Sequence, residues 1–300
     1  LEASERAVRA VEAAEARLST WREDTELDRL NRAPVGETVE LSGELARDLA
    51  EALRWWRETG GAFDPGCGAL VEAWGLRAGG RLPSAGEIRS AREAGIAHLA
   101  LGGRSAVRGH ERLRIEEGGF GKGAGLDDAL AALEASGASR AVVDLGGHVA
   151  VHGRGPFLVG IAGPDRRDEP LLLAEIDRGS LSTSGNSERS FAVGGRSFGH
   201  LLDPRTGEPA PDFGSVTVWA RSATDADCLS TGLFVLGPDA ALAWAVGRPG
   251  IDVLVIERAS GALRARATAG FRGRLRPLGP DVRLEFLRAG TPPRARNGAP

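Results

Sequence analysis

Residues 116–130, EEGGFGKGAGLDDAL, crowd glycines around one lysine and then run into a helix. Glycines bare backbone N–H and C=O groups that side chains would otherwise shield, and a glycine loop entering a helix N-terminus is a common anion site. Neither common nucleotide fingerprint is met. The dinucleotide pattern G-x-G-x-x-G, started at Gly119, places its third glycine on Ala124, and the P-loop fails because Gly123 rather than Ser or Thr follows Lys122. By itself the segment reads two ways: a tight strand-to-helix turn with a solvated lysine, or bare backbone offered to a ligand.

The glycine habit extends along the chain, whose 43 glycines in 300 residues are about twice the usual share of ~7%. Many tight turns and close backbone approaches follow. A net charge of -3 and the lack of a basic stripe with interleaved aromatics argue against a nucleic-acid partner. Two cysteines, Cys67 and Cys228, exclude a disulfide framework and a zinc cluster. No apolar run reaches the ~18 residues a membrane span needs, so membrane association would require a segment outside these residues, such as a signal peptide or anchor ahead of Leu1.

Periodicity predicts a helix over 3–18, from Val8, Val11, Ala14 and Leu18, then a polar segment over 19–31. A second helix starts after Ser42 and stops at Gly60-Gly61; Ser84 with Glu87 forms a capping box for a third, ending near Gly95. Strands are expected at 97–101 and 112–116, then the helix at 122–136. Strands follow at 140–145, 149–153, 157–162, 170–176, 190–193 and 214–220. Helices at 223–236 and 238–246, a buried strand at 251–257 and a last strand at 281–287 complete the order. Strands and helices that do not alternate strictly predict an α+β fold rather than a doubly wound sheet. With no repeat and no linker, one domain is expected over 1–287, ending in a frayed tail at 288–300.

Three constellations carry chemistry. In SATDADCLSTGLFVLG, Asp227 and Thr231 share a helix face and Ser230 lies beside them. A carboxylate with hydroxyl oxygens is a hard-ligand set suited to Mg²⁺ rather than to zinc or copper, although a capped helix start with a polar stripe has the same look. In FGHLLDPRTGEP, His200 precedes a turn holding Asp203 and Arg205, as an acid/base group or as a simple turn contact. His148 and His152 do not form a chelate, because residues four apart on a strand stand roughly 13 Å from each other.

In chain order, STWREDTELDRLN, TGGAFDPGCGALVEAWG, GGFGKGAGLDD, VVDLGGHVAVHG, LSTSGNSER, HLLDPRTGEP and SVTVWARSATDADCLSTGLFVLG resemble the ApbE-type flavin transferases over about residues 14–257. The resemblance implies a mixed α+β fold of antiparallel sheets and flanking helices, with the active site in a cleft between two halves. It implies Mg²⁺-dependent transfer of FMN from FAD to a Ser or Thr of an acceptor flavoprotein, with release of AMP. Carried over residue by residue, it places Gly119, Asp227, Ser230 and Thr231 on the metal. It places Trp21, Ala62, Phe63, Asp64, Glu116, Lys122 and Leu202 on FAD, and His200 in transfer together with Asp227. An extracytoplasmic, often membrane-attached location is the family habit.

The chain departs from that pattern. Glu116 and His148 stand where the family usually has Asp, Ala124 where it has Tyr, and Asn186 and Ser187 replace an acid and a Tyr. The family's N-terminal strand, with a Met-Gly-Thr motif touching FAD, is missing before Leu1. These departures leave two other expectations standing: a flavin-binding protein without transfer, and a metal-dependent FAD hydrolase giving FMN and AMP.

Overall fold

Ser42 and Ser84 act as the sequence predicts. Each accepts a backbone N–H at a helix start, from Leu45 and Glu87, and Glu87 returns the bond to the Ser84 N–H to complete the capping box. The structure is a computed structural model that describes residues 1–166, 168–186, 190–259, 262–280 and 282–287. The expected tail at 288–300 and the departure at Ser187 lie outside the described residues.

The first half is mainly helical: α1 (Glu2–Leu18), α2 (Glu26–Arg32), β1 (Thr38–Glu40), α3 (Gly43–Glu58), α4 (Gly68–Ala73), α5 (Ala85–Arg92), β2 (Leu99–Gly102), β3 (Ser105–Arg108) and α6 (Gly121–Ala135). The second half carries β4 (Arg140–Leu145), β5 (His148–Gly153), β6 (Phe157–Ala162), β7 (Pro170–Ile176), β8 (Gly179–Gly185), β9 (Ser190–Val193), β10 (Arg196–Gly199), β11 (Leu202–Asp203), β12 (Glu208–Pro209) and β13 (Gly214–Ala220). It ends with α7 (Ala223–Leu236), α8 (Pro238–Ala245), β14 (Ile251–Ala259), β15 (Ala262–Ala267), β16 (Leu275–Pro277) and β17 (Val282–Phe286).

A seven-stranded sheet, β17-β15-β14-β13-β8-β5-β4, is the frame, antiparallel except where β17 runs parallel to β15. Side chains alternate across a strand, so IDVLVIE feeds two cores at once. Val253 and Val255 join Val216, Val218, Leu229, Leu233, Leu45 and Leu49 under α3 and α7. Leu254 and Ile256 face Ile161, Leu172 and Leu275 of the β16-β7-β6 sheet. The α+β expectation holds. No helix among the described residues is long and apolar enough to cross a membrane.

Three expectations change. Residues 112–116 are not a strand: Arg114 makes one isolated parallel bridge to Cys67, and Asn31 donates to the Ile115 carbonyl and accepts its N–H, at 2.9 and 2.7 Å, on the other side. The polar stretch 19–31 hides α2, capped by Thr25. β8, GSLSTSG, has no apolar alternation to announce it, because Ser182 and Ser184 turn their hydroxyls toward α7.

The helices that hold the site are locked together at one point. Asp127 of α6 accepts four bonds from the start of α7: the Ser222 and Thr224 hydroxyls at 2.7 and 2.8 Å, and the Ala223 and Thr224 N–H groups at 2.8 and 2.9 Å. A carboxylate facing the positive end of a helix also gains from the macrodipole.

Candidate active site

A cavity of about 900 Å³ opens between the two halves. Trp21, Ala62, Phe63, Asp64, Glu116 and Gly119 come to it from the first half, and His200, Leu202 and Thr231 from the second. Nine residues expected from sequence to touch FAD, the metal or the reacting group thus share one wall, in a volume suited to a drug-sized ligand. Lys122 is exposed on the first turn of α6 and is not among the lining residues. Asp227 and Ser230 are buried behind the wall.

The glycine loop has a steric reason. A Cβ at Gly119 would sit 2.9 Å from Phe63 Cε2 and 3.3 Å from Thr231 Oγ1, so any larger residue would have to displace the Phe63 ring and crowd Thr231. Gly123 makes the second close approach, and its N–H donates to Asp227 Oδ2 at 2.9 Å.

Asp227 is 3% exposed, and beyond Gly123 its carboxylate has, among the described residues, Ser182 Oγ at 3.4 Å and the His148 ring at 3.7 Å. An ionised carboxylate with so few donors in the interior fits a place that receives a cation. From it a run of hydroxyls leads back to the cavity. Ser182 Oγ lies 3.1 Å from Ser230 Oγ, Ser230 2.9 Å from Ser184, and Ser184 3.5 Å from Thr231. Ser230 donates to the Asp227 carbonyl at 3.0 Å. Oxygen donors of this kind fit a hard divalent ion, with Asp227 and Thr231 as its side-chain holders.

Sequence reasoning missed Arg77. Its guanidinium lies 4.5 Å above the Trp21 ring and donates to Glu116 Oε2 and Thr20 Oγ1, both at 2.5 Å. It stands in a single 3₁₀ turn between two left-handed glycines, Gly75 and Gly79, and no local signal marks it as a cavity residue. Burial pushes the Glu116 carboxyl above its usual range while Arg77 pulls it back. Burial also holds the His148 imidazole below its ordinary value, against the pull of Asp227. The half-buried Cys67 thiol, another lining residue, is raised by desolvation and by Glu116 and Asp64, and is no thiolate nucleophile. Asn186 packs against Gly199, next to His200, with neither amide atom partnered among the described residues.

Asp64 gives a pH test. Burial raises its carboxyl to about 6 from an ordinary 3.8, although the Gly66 and Ile96 N–H groups donate to it at 2.7 and 3.1 Å. The folded state therefore holds this proton more tightly than the unfolded chain. The associated stability is full below pH ~4 and is lost as pH rises through ~6. Asp64→Asn keeps an oxygen for both donors and cannot ionise. In denaturant melts without FAD it should match the parent at pH 4 and exceed it by about 1–3 kcal/mol at pH 8; equal stability at both values would contradict the shift.

The ApbE family model matches residues 2–255. The FAD:protein FMN transferase of Vibrio cholerae serotype O1 is 30% identical over 266 residues, covering 85% of this chain and 79% of that protein. The FAD:protein FMN transferase of Treponema pallidum is 32% identical over 293 residues, covering 89% and 80%. The flavin transferase ApbE structure from Vibrio cholerae superposes with a TM-score of 0.80 at 29% identity, covering 91% of this chain and 90% of that one. The apo flavinyl transferase ApbE from Pseudomonas stutzeri gives 0.78 at 30%, covering 90% and 88%.

Proposed function

Because the chain belongs to the ApbE family, we propose that it transfers FMN from FAD to a Ser or Thr hydroxyl of an acceptor protein, with Mg²⁺ and with release of AMP. The observation that carries this reading is the shared cavity wall. An aromatic and apolar flank (Trp21, Phe63, Leu202), an imidazole (His200) and the Gly119–Thr231 contact all face one space, with the Asp227 carboxylate behind it.

The residues divide the work. Trp21, 62% exposed at the mouth, offers an indole face for the isoalloxazine, once Arg77 shares or yields that face. Asp227, Thr231 and the Gly119 carbonyl would hold the ion, and Ser230 steadies the Asp227 turn. Bound there, a divalent cation neutralises pyrophosphate charge and makes AMP a better leaving group. His200 takes the proton of the incoming hydroxyl. The hydroxyl oxygen bonds to the FMN-side phosphorus in line as the bond to the AMP oxygen breaks.

One assay separates transfer from its rivals. The protein is incubated with FAD, Mg²⁺ and an acceptor domain while AMP and acceptor mass are followed. AMP together with an FMN-sized mass gain is expected. AMP without the gain would mean hydrolysis, and neither product would mean flavin binding alone. His200→Ala should slow transfer by about 10²–10⁴-fold, and an unchanged rate would remove it from the chemistry.

A further inference from the structure

His148 opens β5, is 2% exposed, and sits directly behind Asp227. Its Nε2 lies 2.8 Å from Ser180 Oγ, and that hydroxyl donates its single proton to the Val149 carbonyl at 2.9 Å. Ser180 can therefore only accept from the ring, so Nε2 carries the hydrogen and Nδ1 of the neutral imidazole is a lone pair. This Nδ1 is buried without a hydrogen-bond partner among the described residues. It faces Asp227 Oδ1 at 3.7 Å, beyond hydrogen-bond range even if it held a proton.

Two electron-rich atoms thus look at each other in the interior, where an unpartnered polar group is costly. A cation bound between them answers both. Imidazole nitrogen suits zinc, cobalt and their neighbours and is a poor ligand for Mg²⁺. The Ser180–Val149 pair orients the ring from behind, as outer partners of metal-bound histidines do.

We propose that His148 Nδ1 joins Asp227 as a ligand, so that the site takes a borderline divalent ion of the zinc and cobalt class more tightly than Mg²⁺. The inference rests on the ion-site reading above and names an additional ligand and the ion preference it creates. Asp227 offers the carboxylate, His148 the nitrogen, and Ser180 holds the tautomer that leaves Nδ1 open.

The test needs no turnover. The full chain without FAD is titrated with Co²⁺ and with Mg²⁺ by calorimetry, alongside His148→Gln and Asp227→Asn. Gln keeps a donor near the Nε2 position and deletes the Nδ1 ligand. Co²⁺ should bind more tightly than Mg²⁺, and His148→Gln should lose about tenfold or more in Co²⁺ affinity while Mg²⁺ affinity stays within about twofold. Pulsed EPR of bound Cu²⁺, an imidazole-preferring ion, should show a coordinated ¹⁴N coupling that converts to ¹⁵N when the protein is labelled with ¹⁵N-histidine. That readout decides the matter even if His148→Gln fails to fold. Bound Cu²⁺ with no coordinated histidine nitrogen, or Co²⁺ affinity unchanged in a folded His148→Gln, overturns the role of His148. Co²⁺ binding that also survives Asp227→Asn overturns the ion-site reading itself.

Discussion

Asp227→Ala is expected to lower AMP release from FAD by about a thousandfold or more, the several kcal/mol that a positioned ion contributes to a phosphoryl transition state. Asp227 brings the one carboxylate of the proposed set, and its placement explains why nothing nearby replaces it. It is buried on α7, one oxygen accepting the Gly123 N–H at 2.9 Å, with Ser182 as its other donor. Truncation leaves that N–H without an acceptor and costs about 1–3 kcal/mol of stability as well. Asp227→Asn separates the two effects. Its amide oxygen still accepts from Gly123 while the charge is gone, so the Asn variant should melt close to the parent and still fail to release AMP. Undiminished turnover in either variant would sink the ion assignment.

Gly123→Ala is the second large effect, and its sign is set by α7. The added Cβ would lie 2.5 Å from the Ala223 carbonyl oxygen and 2.6 Å from the Thr224 Cα. Both are backbone atoms that Asp127 already holds through four hydrogen bonds, so α7 cannot step aside cheaply. A loss of about 1–3 kcal/mol is expected from overpacking, read as a lower melting temperature. AMP release should fall with it, because the Gly123–Asp227 bond stretches when α6 lifts. Gly125→Ala, one half-turn on, is the control. Its Cβ would make ordinary contacts, 3.6 Å to Ala14 Cβ and 3.8 Å to Leu145 Cδ1. There the better helix propensity of Ala should leave stability equal or higher by up to about 1 kcal/mol. If both substitutions behave alike, the close helix approach at Gly123 is not what the loop is for.

Much of the architecture was legible because it is written over three or four residues. Ser42, Ser84 and Glu87 mark helix starts by hydrogen bonds they make locally. IDVLVIE is a strand with both faces covered because both sets of alternating side chains are apolar. The strands β3 and β15 escaped, although they pair with their sequence neighbours β2 and β14, while two other stretches escaped because their backbone or side chains serve something distant. In 112–116, Ile115 is satisfied by Asn31, 84 positions away, and its neighbours Arg114 and Glu116 by the backbone of Gly68 and Pro65. β8 spends its alternate positions on hydroxyls for Ser230 and Thr231, so it lacks the apolar rhythm of a strand.

The candidate site divides in the same way. By itself the sequence determined the α+β class, the long helices and several of the strands, and the residue types of the candidate site. It also excluded a His148–His152 chelate, and the two rings indeed turn to separate partners, Ser180 Oγ and the Ala138 carbonyl. Only the tertiary structure decided that Arg77 stands over Trp21, that Asp227 lies behind the cavity wall rather than on it, and that His148 looks at Asp227. The physical reason is range. Caps and periodicity act within a turn or along a strand, whereas Gly123 meets Asp227 across 104 positions through two helices whose closeness depends on one missing Cβ.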